Sequence, residues 1–319
     1  MRLFDEREIV ECCAAICQSV ETMAERFRKF FTRGLLVAVL ALLGFLFYAV
    51  TRPSPPPPPL PNPNGYDDLV KEGQLTSGNL YFGDLNPEQS RQQLFRNVEA
   101  LKSARIGLSR ECRVPLPNSI VQYENEHLPN LPGIKRLALA FEAEGKLAEM
   151  DNRRADALKS YLDCIRLGRE SARGGLAIDK LVGVACEAFG MRPMQRFSGS
   201  LDTNECRVAI QALEKLDSPN ESAEEFLKRD LKWGRRVSGW RAWITSLLAF
   251  NQTRQAQQKF RTKLDTTDLA RRRLMIDLAA RAYELENGKR PKTIADLVPD
   301  YLKTIPLDPF TGTNIVYQP

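Results

Sequence analysis

The 319-residue chain carries 46 basic and 40 acidic residues, a formal net charge of +6, and one histidine. The small positive excess is spread along the chain and argues against a nucleic-acid-binding protein. One histidine excludes histidine-rich zinc sites, and the sequence contains no phosphate-binding glycine loop or Gly-x-Ser-x-Gly motif, so we expect no catalytic and no cofactor-binding residues.

The first predicted element is an apolar helix near the N-terminus. Residues 34–50 contain no charged side chain, and with Phe30 and Phe31 the run approaches the roughly 20 residues that a helix needs to cross a bilayer. More than thirty residues precede the run, and no clear Ala-x-Ala cleavage site follows it. These features favour a retained transmembrane helix over residues 34–51 rather than a signal peptide.

Basic residues predict the orientation of this helix. Residues 26–33 contain four basic side chains, whereas Arg52 is the only one near the other end. The positive-inside rule then predicts a cytoplasmic arm over residues 1–33 and an extracytoplasmic C-terminal part. We therefore predict a single-pass protein of the inner (cytoplasmic) membrane, with the lipid bilayer as one partner.

Residues 52–65 form a proline-rich linker. Such a sequence favours polyproline II and excludes a helix or a central strand, so it is expected to act as a stiff spacer.

The seven cysteines lie on both sides of the predicted membrane segment. Cys12, Cys13 and Cys17 precede it, in a compartment where thiols stay reduced. Two interpretations of these three cysteines are open: small apolar packing residues or metal ligands. The later four are compatible with two disulfides or with free buried thiols: Cys112, Cys164, Cys186 and Cys206.

The remainder is predicted to be mainly α-helical, with an extracytoplasmic multi-helix domain over residues 66–265. Asn86, Pro87 and Gln89 form a helix-start signal, and prolines in the stretch 115–132 predict a loop. A helical hairpin is expected over residues 134–170. Further helices are expected to end near Gly190, to begin at the capping box 202–205, and to begin at 218–221 and run past residue 250.

The hairpin resembles a single tetratricopeptide-type unit. Gly145, Ala148, Ala157, Tyr161 and Cys164 lie where that repeat places small and aromatic packing residues. No second copy is evident, so the pattern predicts antiparallel helix packing rather than a solenoid.

An apolar seam is predicted on the helix that follows. Trp233, Trp240 and Ile244 recur at helical spacing. Such a seam is typical of a packed core, and a partner-binding groove is the alternative interpretation.

Residues 266–319 are predicted to form a helix and a small tail with turns and a short strand over 314–317. The tail carries Asn287-Gly288 with Pro291 three residues later, and Pro306 two residues before Asp308-Pro309. In these motifs it resembles the C-terminal part of type II secretion pseudopilins. That resemblance implies calcium binding, with Asp308 as the candidate ligand. The membrane segment lacks the peptidase site and the glutamate of that family.

The overall layout is also similar to single-pass membrane proteins of planctomycete-type bacteria. The similarity is carried by Gly-Tyr-Asp-Asp-Leu at 65–69, by Arg-Glu-Cys-Arg-Val-Pro-Leu at 110–116 and by the tail. It implies no activity.

These features lead to one main hypothesis and two alternatives. The main one is a membrane-anchored helical scaffold or protein-interaction component of a bacterial envelope, without evident catalysis. The first alternative is a pseudopilin-related secretion component with a calcium-stabilised tail. The second is an envelope hydrolase that uses carboxylate pairs such as Glu124/Glu126 and Glu142/Glu144.

Overall fold

A computed structural model describes residues 28, 30–45, 48, 58–78, 80, 86–217, 221–239 and 250–317. The chain divides into two compact units, Met1–Pro53 and Ser54–Pro319. The predicted domain boundary between residues 265 and 266 falls within one helix of the second unit.

In the first unit, residues 30–45 are helical. Their large apolar side chains are exposed: Leu36, Leu40 and Leu43 have exposed fractions between 55 and 61%. No helix within the described ranges is both long and apolar enough to span a membrane. Residues 1–27, 29, 46–47 and 49–51 lie outside the described residues, so most of the predicted arm and the end of the predicted 34–51 helix lie there as well.

The second unit is built from helices, which confirms the prediction of a mainly α fold. Their bounds are α1 Gly65–Leu75, α2 Pro87–Ser109, α3 Leu131–Met150, α4 Arg154–Glu170, α5 Ala177–Phe197, α6 Thr203–Asp217, α7 Ala223–Ser238 and α8 Phe250–Asn287. Short helical turns lie at Ile120–Gln122, Tyr123–His127, Leu128–Asn130, Ser198–Ser200 and Ile294–Leu297.

Several of these helices begin and end where the sequence signals lie. The Asn86 side chain accepts a hydrogen bond from Gln89 N while the Gln89 side chain bonds back to Asn86 N, which is a full capping box. Asp202 and Glu205 exchange the same pair of bonds at the start of α6. At the other end of α8, Gly288 has a positive φ of 68° and its N–H bonds Glu284 O, as a glycine C-cap requires.

Two predicted helix ends are wrong. Helix α5 continues through Gly190 to Phe197, because Gly190 provides close packing: a methyl group there would overlap Tyr161 O on α4. Helix α7 ends at Ser238 rather than running past residue 250, since Gly239 adopts a φ of 59° and caps it by bonding Arg235 O.

The helices pack in three adjoining hydrophobic clusters. One joins α1, α2 and α3 around Leu101 and Phe141. A second joins α4, α5, α6 and α8 and also buries Leu297, Leu302 and Ile315 from the tail. A third places Phe226 of α7 against α8. The antiparallel α3–α4 hairpin has the packing that the sequence predicts, since Gly145 lies directly against the Tyr161 ring.

The stretch predicted as a loop and the end of the proline-rich linker both differ from expectation. Pro129 and Pro132 lie in the first turns of helical segments, where a missing N–H costs nothing.

At the linker end, Asn64 is buried and caps α1, and its side chain bonds both N and O of Arg113. Residues 58–64 therefore contact the helical domain instead of only spacing it.

The tail contains turns but no strand within the described residues. The predicted 314–317 strand is reduced to an isolated bridge between Leu307 and Asn314. The four cysteines of this unit are free and buried, so the structure contains neither of the two disulfides considered.

Candidate functional site

A cavity of about 940 Å³ lies in the second unit, and we call it the basic cleft. Its walls are the end of the proline-rich segment, residues 113–118, the turns around His127, the α4–α5 connection at 173–174, and residues 221–236, mainly from α7. These walls come from parts of the chain that are far apart in sequence.

Basic side chains dominate the lining of the cleft. Of the described lining residues, six are basic, namely Arg113, Arg173, Lys228, Arg229, Lys232 and Arg236, and three are acidic, namely Glu126, Glu221 and Glu225. The members at 228, 232 and 236 recur every four residues and so lie on one face of α7. Lys228 and Lys232 are exposed to solvent.

The three remaining arginines also hold the walls together. Arg229 donates to Gly175 O at 2.7 Å and pairs with Glu221. Arg113 donates to Pro59 O at 3.0 Å, and Arg173 pairs with Glu170 at 2.9 Å. Their charges are thus fixed in position, whereas the lysines of α7 extend into solvent.

Aromatic rings form one wall. Trp233 Nε1 donates to Pro117 O at 2.7 Å, and the Trp233 ring lies 4.9 Å from that of Tyr123. Tyr123 in turn stacks on His127 at 5.7 Å. Trp233 and His127 of this row line the basic cleft beside its charged side chains.

A buried histidine–carboxylate pair lies behind that wall. His127 Nε2 lies 2.8 Å from Asp179 Oδ1, and both side chains are at most 5% exposed. Because a carboxylate accepts, the hydrogen of this bond lies on Nε2. The second oxygen of Asp179 accepts from Leu176 N at 2.7 Å at the start of α5.

Tyr66 also lines the cleft and is 2% exposed. Burial, followed by the negative charges of Asp179 and Asp67, raises the pKa of Tyr66 well above its ordinary value. Burial and the charges of Asp179 and Asp230 also raise the pKa of Tyr123. Both phenols therefore remain protonated donors at neutral pH.

The residues singled out from the sequence are placed as follows. Trp233 is half-buried and lines the basic cleft, whereas Trp240 and Ile244 lie outside the described residues. Asp308 stabilises a turn of the tail: its Oδ1 accepts from Phe310 N at 2.8 Å. In the described part of the chain, no three His, Cys, Asp or Glu side chains are grouped as a metal site.

The carboxylate pairs proposed for hydrolysis do not converge. Glu142 pairs with Lys146 at 2.7 Å, and Glu144 pairs with Arg105. Glu126 lines the cleft and accepts from Gln122 Nε2 at 3.0 Å. Each of these three carboxylates is thus engaged in a separate local interaction.

The sequence did not indicate the most buried polar groups of the cleft. His127 was noted only as the single histidine of the chain, Tyr66 only as part of the motif at 65–69, and Asp179 not at all. His127 and Asp179 are 52 positions apart and belong to different segments, so no local spacing connects them. The one local signal for Asp179 is its position three residues after Leu176, where its side chain accepts from Leu176 N at the start of α5.

Comparisons of the chain with protein families, with curated proteins and with solved structures found no match.

Proposed function

We propose that this chain is a membrane-anchored scaffold of a bacterial envelope whose extracytoplasmic helical domain binds an acidic segment of a partner protein in the basic cleft. The observation that carries the proposal is the charge of the cleft, where six basic side chains and three acidic ones line about 940 Å³. The apolar run at 34–50 and the basic residues before it support the anchor and its orientation.

The lining favours binding over catalysis. No serine, threonine or cysteine is among the described residues that line the cleft. Each of its three carboxylates bonds the protein itself: Glu126 accepts from Gln122, Glu221 pairs with Arg229, and Glu225 caps the start of α7. Such a surface supplies charge and apolar contact without a hydroxyl or thiol nucleophile of the serine, threonine or cysteine type.

The spacing of the cations favours an extended acidic segment. Lys228, Lys232 and Arg236 lie about 6 Å apart along the helix axis, since four residues rise about 1.5 Å each. Alternate side chains of an extended peptide are about 6.6–6.8 Å apart. Acidic residues at every second position of such a peptide would therefore match the basic face of α7, while Trp233 and Pro117 offer apolar contact.

The α3–α4 hairpin supports the same proposal by resemblance. A tetratricopeptide-type unit would place a small and an aromatic residue at these two positions, and here Gly145 packs against the Tyr161 ring. Units of that type serve protein interaction, and here the hairpin continues into the 173–174 wall of the cleft.

The test is binding of a defined acidic peptide. The full chain in nanodiscs would be titrated against fluorescein-labelled Glu-Ala-Glu-Ala-Glu with a free carboxyl terminus, followed by anisotropy at low and high salt. We expect saturable binding that weakens with salt, because charge pairs at a solvated surface are screened. The double variant Lys228→Glu/Lys232→Glu should lose it.

A matched variant separates the cleft from general charge. Lys71→Glu/Lys263→Glu changes the net charge by the same amount at two exposed lysines outside the cleft lining. It should bind the peptide like the wild type. Equal losses in the two double variants, or no binding by the wild type, would overturn the proposal.

A further inference from the structure

Among the described residues, one hydroxyl group in the lining of the basic cleft is without a hydrogen-bond partner. Tyr66 is 2% exposed, and within the described residues its Oη makes no hydrogen bond. Leaving a buried hydroxyl unpaired is unfavourable, because the bonds it would make to water are lost. A native protein that keeps such a group has a reason to present a donor there.

The backbone around this hydroxyl is firmly held. Tyr66 N donates to Asn64 Oδ1, and Arg113 N donates to the same oxygen at 2.9 Å. The preceding Gly65 lies so close to Gly107 that a methyl group on it would overlap Gly107 O. The Tyr66 ring is therefore positioned by α1, α2 and the 113–118 wall together.

His127 also lines the basic cleft. Asp179 engages its Nε2 at 2.8 Å and so fixes the ring in position. Asp179 is bonded on both oxygens, to Nε2 of His127 and to the Leu176 N–H. Arg113 and Arg173 add positive charge to the same lining, where Val114 N bonds Arg173 O at 2.9 Å.

We propose that Tyr66 and His127 form an anchoring subsite in the basic cleft that binds a carboxylate of the acidic segment. The Tyr66 hydroxyl donates to one carboxylate oxygen, Arg113 and Arg173 supply positive charge, and the ring of His127, which Asp179 holds at Nε2, lies against the same carboxylate. This inference rests on the proposed function and deepens it: α7 binds the acidic segment along its length, and the subsite fixes one carboxylate of it.

The single histidine of the chain makes a direct test available. The full chain, labelled with ¹⁵N-histidine and purified through a tag without histidine, gives imidazole signals from His127 alone. We expect these signals to shift saturably as the Glu-Ala-Glu-Ala-Glu peptide is added in nanodiscs. The same peptide should cause no shift in Lys228→Glu/Lys232→Glu.

Tyr66→Phe tests the second group of the subsite. Because the hydroxyl has no partner, its removal should leave the fold intact, and the thermal midpoint without peptide should be unchanged or higher. Affinity for the peptide should fall about tenfold, the value of one hydrogen bond to a charged group. Tyr283→Phe on α8, outside the cleft lining, is the matched control and should bind like the wild type.

The outcomes separate this inference from the proposed function. Peptide binding that depends on Lys228 and Lys232, without a shift of the His127 signals and without an effect of Tyr66→Phe, would overturn the subsite and leave the proposed function standing. No peptide binding by the wild type would overturn both. Shifted His127 signals together with a tenfold loss in Tyr66→Phe would support both.

Discussion

Arg271 and Glu187 form an ion pair from which solvent is excluded: Nη1 of Arg271 lies 2.9 Å from Oε2 of Glu187, and neither side chain has exposed surface. Arg271 also contacts Asp217 at 2.8 Å and Asp268 at 2.6 Å, and Lys180 bonds the other oxygen of Glu187 at 3.2 Å. This network joins α5, α6 and α8, and α5 also carries the carboxylate that holds His127.

Removing the central cation should therefore be severe. Arg271→Leu removes the cation that Glu187 and Asp217 share, and breaking a buried pair in this way costs about 3–5 kcal/mol. Chemical denaturation of the full chain measures the loss. Arg261→Leu, on the same helix, breaks an exposed pair with Glu224 and should cost about 0–1 kcal/mol. Similar losses in both variants would show that the network has no special role.

The same network should make stability depend on pH. Burial alone would raise the pKa of Glu187, but Lys180, Arg271 and Arg169 outweigh it and hold that pKa below its ordinary value of 4.5. Burial would likewise raise the pKa of Asp217, but Arg271 and Arg272 outweigh burial and leave that pKa below its ordinary value. A carboxyl whose pKa is lower in the folded state contributes stability above its unfolded-state pKa and loses it as the pH falls through the folded-state value.

The measurement compares the wild type with Glu187→Gln. We expect the free energy of unfolding to differ most at neutral pH and the difference to shrink as the pH falls from about 5 to about 2. The comparison isolates Glu187 from carboxyls with the opposite sign, such as Asp163, whose pKa burial raises despite its pairing with Arg105. A difference that stays constant over this range would contradict the assignment.

Close packing between α4 and α5 should not tolerate even one methyl group. A Cβ at Gly168 would overlap the backbone oxygen of Gly183, which no side-chain movement relieves. Gly168→Ala should therefore destabilise the domain by about 1–3 kcal/mol, despite the better helix propensity of alanine. A methyl group at Gly199 would have no neighbouring atom within 4 Å, so Gly199→Ala should change the free energy of unfolding by less than about 0.5 kcal/mol. Equal thermal midpoints for these two variants would refute the packing argument.

Asp308 should stabilise the tail through its turn. Asp308→Ala removes the bond from Phe310 N and should cost about 0.5–1.5 kcal/mol, seen as a lower thermal midpoint with or without calcium. The calcium expectation, which comes from the resemblance to pseudopilins, is tested in the same titration. A rise in the midpoint of the wild type on adding calcium, absent in Asp308→Ala, would instead favour the secretion-related alternative.

The membrane topology is tested in cells. A tag at the C-terminus should be digested by protease added to spheroplasts, and a tag at the N-terminus should be protected, since the basic residues before position 34 are predicted to stay cytoplasmic. Disruption of the membrane should expose both tags. A protected C-terminal tag in intact spheroplasts would contradict the proposed orientation and with it the extracytoplasmic placement of the cleft.

Local signals in the sequence predicted much of the helical fold. Capping side chains act on the adjacent backbone, so Asn86 with Gln89 and Asp202 with Glu205 marked true helix starts. Glycine was ambiguous for a physical reason. Gly288 ends a helix through its positive φ, whereas Gly190 lies inside one because α4 approaches it closely.

The site was less predictable because long-range packing assembles it. Trp233 was singled out through its helical spacing, and it does line the cleft. The buried groups Tyr66, His127 and Asp179 come from three separate segments, and no pattern within any one of them indicates that they meet. The Asn64 contact with Arg113, which folds the linker end onto the domain, spans 49 positions and is equally invisible locally.

The most direct test of the central claim is site-specific photo-crosslinking in the native cells. A photoreactive residue at position 232, in the basic cleft, is compared with one at position 71, an exposed lysine outside it. The account predicts a crosslink from position 232 alone to one envelope protein, mapped to a segment with acidic residues at alternate positions. Crosslinks that are the same from both positions, or a mapped segment without acidic residues, would contradict it.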